Sequence, residues 1–275
     1  MNRVASADCV LFVPGSRPER FAKALGTRAA LVCIDLEDAV AAADKARARE
    51  AALDALGDER LALRINGLAT AEGLRDLLAL KECGRSPAAL FVPMVDGPGQ
   101  LAILRSVLGR EEPRLVPLIE AAAALRIGHE IASAPGVAGV MFGGGDLAAE
   151  LGVALAWEPL AAARGAFILA CAGRGLALID VPYLGIADEA GLTAETARAR
   201  ALGFTAKAAI HPAQVDPIRA AFAPTRAELD EARAALAAFA DAGGKAISHK
   251  GKMLEAPLVR RYEAMLAAQK EQADA

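Results

Sequence analysis

Eight short apolar runs, alternating with segments of helical periodicity, limit what this chain can become more than any other feature. The runs are Cys9–Pro14, Ala30–Glu37, Leu61–Asn66, Ala89–Met94, Arg114–Glu120, Gly139–Asp146, Leu176–Pro182 and Ala206–Pro212. Most are continuous stretches of Val, Ile and Leu, the pattern of strands covered on both faces. Between them, ERFAKALG and EGLRDLLALKECG set Leu and Ala at helical spacing among charges, and Gly26 and Gly84 stand where helices stop. Such a series predicts a (β/α)8 TIM barrel. The competitor is a doubly wound open sheet, but that fold commonly uses fewer strands, and no G-x-G-x-x-G follows the first one.

With 275 residues, 55% of them hydrophobic, the chain can bury one large core. A net charge of -3 gives no electrostatic footprint for nucleic acid or an anionic membrane. No long charge-free stretch predicts a transmembrane helix, and no apolar leader is evident. Cys9, Cys33, Cys83 and Cys171 are scattered singly, against a zinc site or a redox pair, so a cytoplasmic protein is expected.

The barrel is expected over 1–223, closing with a helix through Phe222, and a helical extension over 224–275. In the extension Thr225 and Glu228 form a capping box, GGKAISHKGKMLEAP reads as a flexible connector, and a last helix runs from Pro257 to about Gln269. This appended arm is expected to cover a mouth as a lid or to reach a neighbouring subunit.

In a TIM barrel the C-terminal strand ends form the active face. Here they offer Ser16 and Arg17, Glu37 and Asp38, Arg64 and Asn66, Glu120, Asp146, Asp180, and His211. Charges ending apolar strands are costly to bury unless paired or bound to a metal. Glu120 and Asp146, from adjacent strands and without His or Cys beside them, make a hard oxygen site suited to Mg²⁺ held by few protein ligands. Gly143, Gly144 and Gly145 would then leave room for a chelating substrate. GGGDLAAE has no following Lys-Ser/Thr, so it is no P-loop.

The segments LFVPGSRPERFAKAL, IDLEDAV, LRING, PLIEAA, FGGGDLAAELG and KAAIHPAQVDPIRAAFAPT occur in this order. Together they resemble the citrate lyase beta-subunit-like family, which is grouped with malyl-CoA and citramalyl-CoA lyases, malate synthases and metal-dependent pyruvate aldolases. The resemblance implies a Mg²⁺-dependent lyase that makes or breaks a carbon–carbon bond beside a CoA or acyl-carrier thioester, with a small 2-oxo acid as the other partner. It implies Glu120 and Asp146 as metal ligands, Arg64 as the group steadying enolate charge, and Glu37 with Asp38 as an acidic pair orienting the arginine and metal-bound water. Ser16, Arg17, Lys23 and His211 fall on the CoA side. Glu255, in HKGKMLEAPLVRR, stands where the family carries a general acid/base aspartate, supplied to a neighbouring subunit in a trimer or hexamer. Met94 stands where the family commonly has lysine, and Ala122 where threonine often follows IE. Two rival functions are an aldolase of free hydroxy-oxo acids, which usually has histidine at position 38, and a lyase subunit that works with a carrier protein.

Overall fold

The computed structural model describes residues 3–109 and 113–273. Eight parallel strands close a barrel in sequence order: β1 (Cys9–Pro14), β2 (Leu31–Asp35), β3 (Leu61–Arg64), β4 (Ala89–Val92), β5 (Arg114–Ile119), β6 (Gly139–Phe142), β7 (Ala177–Asp180) and β8 (Ala206–Ala209). β8 returns to pair with β1. Contacts divide the chain into two compact units, Met1–Phe222 and Ala223–Ala275.

Alternation along the strands sorts the barrel's apolar side chains into two layers. Val10, Leu31, Cys33, Ala62, Phe91, Val116, Leu118, Met141 and Ile179 form an inner cluster. Their neighbours Leu11, Val32, Ile34, Leu63, Leu90, Ile119, Val140 and Leu178 pack outward against the helices. Burying each large apolar side chain stabilises by about 1.5–3 kcal/mol. Both layers are dry, so the strands read as unbroken apolar runs.

Every strand is shorter than its apolar run at the C-terminal end, except β1. Glu37, Asn66, Met94, Glu120 and Asp146 therefore begin the loops rather than finish the strands. Asp146 goes further, into the first turn of the helix Gly144–Leu151, where a carboxylate suits the positive end of the backbone dipole.

In the second unit the helix Arg226–Asp241 opens with the expected capping box, Thr225 and Glu228 each satisfying the other's backbone N–H. The stretch read as a flexible connector is instead a hairpin, β9 (Ile247–His249) paired antiparallel with β10 (Lys252–Leu254). Its two-residue turn holds Lys250 at φ 48° and Gly251 at φ 75°, the left-handed pair that matches strand twist. Leu254 and Ile247 pack with Ala235, Phe239, Val259 and Tyr262 as a small core. The last helix runs Ala256–Ala273.

Candidate active site

A cavity of about 430 Å³ opens at the C-terminal end of the barrel. Its floor is apolar, with Phe12, Leu118 and Met141, and its charged lining is Asp35, Asp38, Arg64, Glu120 and Asp146. Strand alternation explains the convergence: Asp35 follows the inward Cys33 by two residues, Arg64 follows Ala62, and Glu120 follows Leu118.

Arg64 is held from several sides. Asp35, opposite it in register on β2, accepts from Nε at 2.7 Å and from Nη2 at 2.6 Å. Nη1 lies 2.9 Å from Glu37 Oε2 and 3.3 Å from Asp38 Oδ2, and the guanidinium sits 5.5 Å from the Phe12 ring centroid. Burial works against the charge on Arg64, but the bonds to Asp35 outweigh it, and the guanidinium is held above its usual pKa.

The pair expected to orient the arginine, Glu37 and Asp38, lies against Arg64, and Asp35 joins it as a third acid that the strand ends alone do not single out. Asp35 is the principal clamp, buried and bidentate, and its oxygens also accept the amides of Glu37 and Ala39. Asp38 is 70% exposed and makes one long contact to Arg64. Asp35 was legible as an acid inside an apolar run, a costly placement unless paired, but its register with Arg64 was not.

Burial pushes the Glu37 carboxyl up to about 8, against the pull of Arg64. Burial likewise pushes Glu120 up to about 7, opposed by the Met94 N–H and assisted by the charge of Asp146. Asp146 is raised too, by burial and then by Asp38.

Glu120 is fixed by two backbone features. The Met94 N–H donates to Oε2 at 2.6 Å, from a residue at φ 53°, a conformation rare outside glycine. Opposite, a Cβ on Gly143 would lie 2.0 Å from Glu120 Cγ. The glycine run was expected to clear space for substrate. Gly143 and Gly145 both line the cavity; a Cβ added at Gly145 would meet nothing, whereas one at Gly143 would meet Glu120 and one at Gly144 would meet Phe142, Leu155 and Val181.

Among the described residues only Oε2 of Glu120 is engaged, and no hydrogen bond or ion pair occupies the Asp146 carboxylate. Two carboxylates with unengaged oxygens in one cavity fit a hard divalent cation that keeps positions for water and substrate. Among the described residues, no group of three or more His, Cys, Asp or Glu is arranged to hold a metal.

A second cavity, about 510 Å³, shares Pro14 and Ala39 with the first and carries Ser16, Arg17, Arg20, Asp44 and Arg47. Lys23 and His211 line neither cavity. Lys23 is exposed on the helix Phe21–Leu25, and His211 Nδ1 accepts the Ala213 N–H as a helix cap. Glu255 is exposed at the start of the last helix, where its carbonyl accepts from the amides of Leu258 and Val259.

Asp180, read from sequence as a rim acid, is not on the rim. It follows the inward Ile179 by one residue and so points outward, between barrel and helices. There it accepts from Arg164 Nε at 2.9 Å and Lys207 Nζ at 2.6 Å, all three fully buried. Lys207 also reaches Glu195 at 2.9 Å, and Arg164 stacks over Trp157 with 4.6 Å to its centroid.

Among the described residues no helix is long and apolar enough to cross a membrane. Residues 8–212 match the model of the family described as HpcH/HpaI aldolase/citrate lyase, and residues 158–268 match that described as C-C bond lyase of the TIM-barrel fold. The citrate lyase subunit beta-like protein of Mycobacterium tuberculosis is 36% identical over 275 residues, covering 97% of each chain. The (3S)-malyl-CoA thioesterase of Cereibacter sphaeroides is 35% identical, covering 85% of this chain and 83% of its own. Among solved structures, the protein CitE of Mycobacterium tuberculosis in complex with magnesium, acetoacetate and coenzyme A is similar with a TM-score of 0.85 and 35% identity, over 96% of this chain and 98% of that one.

Proposed function

The chain belongs to the HpcH/HpaI aldolase/citrate lyase family, and from that membership and the geometry of the rim we propose that it is a Mg²⁺-dependent lyase cleaving a 3-hydroxy-acyl thioester of the citryl-, malyl- or citramalyl-CoA kind, a 2-hydroxy acid at its free carboxylate end, into a 2-oxo acid and an acyl thioester. The observation that carries this reading is the meeting of Arg64, Glu120 and Asp146 in one cavity above an apolar floor. Glu120 and Asp146 would hold the ion, which when bound supplies Lewis-acid polarisation of the oxo-acid oxygens.

The remaining work falls to side chains. In cleavage, the bond between the carbinol carbon and the carbon next to the thioester breaks. Its electron pair passes to the thioester fragment as an enolate, while water takes up the hydroxyl proton and the carbinol becomes the carbonyl of the oxo acid. Arg64, kept charged by Asp35, supplies preorganised positive charge for the enolate oxygen. Glu255 of a second copy hands a proton to the enolate carbon, or removes it in the condensation direction. That assignment makes the working form a homo-oligomer. Ser16, Arg17, Arg20 and Arg47 line the neighbouring cavity, whose three guanidiniums suit the phosphates of CoA.

The test combines purified protein, Mg²⁺ and a panel of the three thioesters, with products resolved to separate carbon–carbon cleavage from thioester hydrolysis. The expected outcome is a 2-oxo acid plus acyl-CoA, with Mg²⁺ affinity falling at least about tenfold in Asp146→Ala. No cleavage of any thioester, together with unchanged Mg²⁺ affinity in the variant, overturns the reading.

A further inference from the structure

We propose that Lys45 is a positioning residue for Arg64, acting through the backbone on either side of Glu37. Lys45 is the first residue of the helix Lys45–Ala55 and is half-buried. An ammonium has three donors, and here each has a taker: the carbonyl oxygens of Leu36 and Glu37, both at 2.7 Å, and Asn66 Oδ1 at 2.6 Å. None of the three acceptors is a carboxylate. A cation at a helix N-terminus also opposes the backbone dipole. This is poor placement for a charge whose only task is stability.

The geometry gives it another task. The carbonyls of Leu36 and Glu37 flank the Cα of Glu37, so one ammonium gripping both restrains the two backbone torsions of that residue. Those torsions aim the Glu37 side chain, whose Oε2 lies 2.9 Å from Arg64 Nη1. The third bond ties the same ammonium to Asn66, two residues beyond Arg64 on the exit from β3. Asn66 is itself immobilised, because the buried Asp76 accepts from both its backbone N–H at 2.8 Å and its Nδ2 at 2.6 Å. Asp76 in turn is held by Arg49 Nε at 2.6 Å. Lys45 therefore pins the loop after β2 to the loop after β3, and its three bonds fix how Glu37 meets Arg64. This role rests on the proposed reading of Arg64 as the group that steadies enolate charge.

The experiment uses the full chain with Mg²⁺ and compares Lys45→Met and Lys45→Arg with the wild type. In Lys45→Met the expected loss of kcat is about 10- to 100-fold, with KM for the thioester changing by less than about threefold, since orientation rather than binding is disturbed. The Glu37 and Ala39 amides, held by Asp35, should exchange with solvent at least about tenfold faster, while Leu118 and Met141 amides keep their protection. Lys45→Arg should recover part of kcat. Unchanged exchange at Glu37 and Ala39 overturns the proposal, as does a fall in kcat accompanied by faster exchange throughout the barrel. A wild-type protein that cleaves no thioester sinks the functional reading instead, and the exchange at Glu37 and Ala39 then decides alone whether Lys45 sets that residue.

Discussion

Two clusters of charge at the C-terminal end of the barrel are built alike and differ in fate. On β2 and β3, Asp35 and Arg64 are partners in register. On β7 and β8, Asp180 and Lys207 are partners in register as well. Each pair is bonded at 2.6 Å and each recruits further charges. What separates them is one step of strand alternation. Asp35 and Arg64 share the parity of the barrel interior and meet the open cavity, whereas Asp180 and Lys207 have the opposite parity and are sealed beneath helices. An ion pair facing a cavity can be spent on a substrate's charge. An enclosed one can only hold the fold together.

This contrast predicts opposite phenotypes. Lys207→Met should give the largest effect, about 3–5 kcal/mol of lost stability in urea denaturation, because it takes from the buried Asp180 one of its two cations and from Glu195 its buried partner. Any folded fraction should keep normal kcat; a folded, stable variant with impaired turnover would break the distinction. Arg64→Met should invert the pattern, lowering kcat by about 10²–10³-fold while the protein still folds, as expected for a lost oxyanion-type donor. Comparable kcat in that variant would remove Arg64 from the chemistry.

The smallest expected effect concerns pH without added metal. The folded values of about 8 for Glu37 and about 7 for Glu120 lie above the ordinary carboxylate value of 4.5. The folded state then binds more protons than the unfolded one across that interval, so stability should fall as pH rises from about 4.5 to about 8. Glu37→Gln should flatten the upper part of that slope; an equally steep slope in the variant would show that Glu37 ionises freely in the fold.

How much of this was legible in the sequence follows from the same parity. Eight apolar runs gave the barrel and its strand order, because a dry layer on each face leaves an unbroken signal. The same dryness hides orientation. LVCID and ALID look alike, yet the aspartate of the first enters the cavity and that of the second does not. Sequence alone therefore puts Asp180 on the rim and leaves Asp35, beside Glu37 and Asp38, unmarked. Glu120, Asp146 and Arg64, which line one cavity, stand out in the sequence as acids and an arginine ending apolar runs. Lys45 carried no signal, since its acceptors are two backbone carbonyls and a side-chain amide brought together only by folding. The β9–β10 hairpin was hidden because its turn rests on a lysine in a left-handed conformation.

Gly143 carries the last consequence. With the Glu120 side chain occupying the space where its own Cβ would stand, position 143 has no independent freedom to vary. Even alanine there would force the Glu120 carboxylate, just past β5, to move, so a lesion at one site would be felt as damage to the other. The two positions, distant along the chain, are thus sterically joined: a side chain can enter at 143 only where the acid at 120 is moved or shortened.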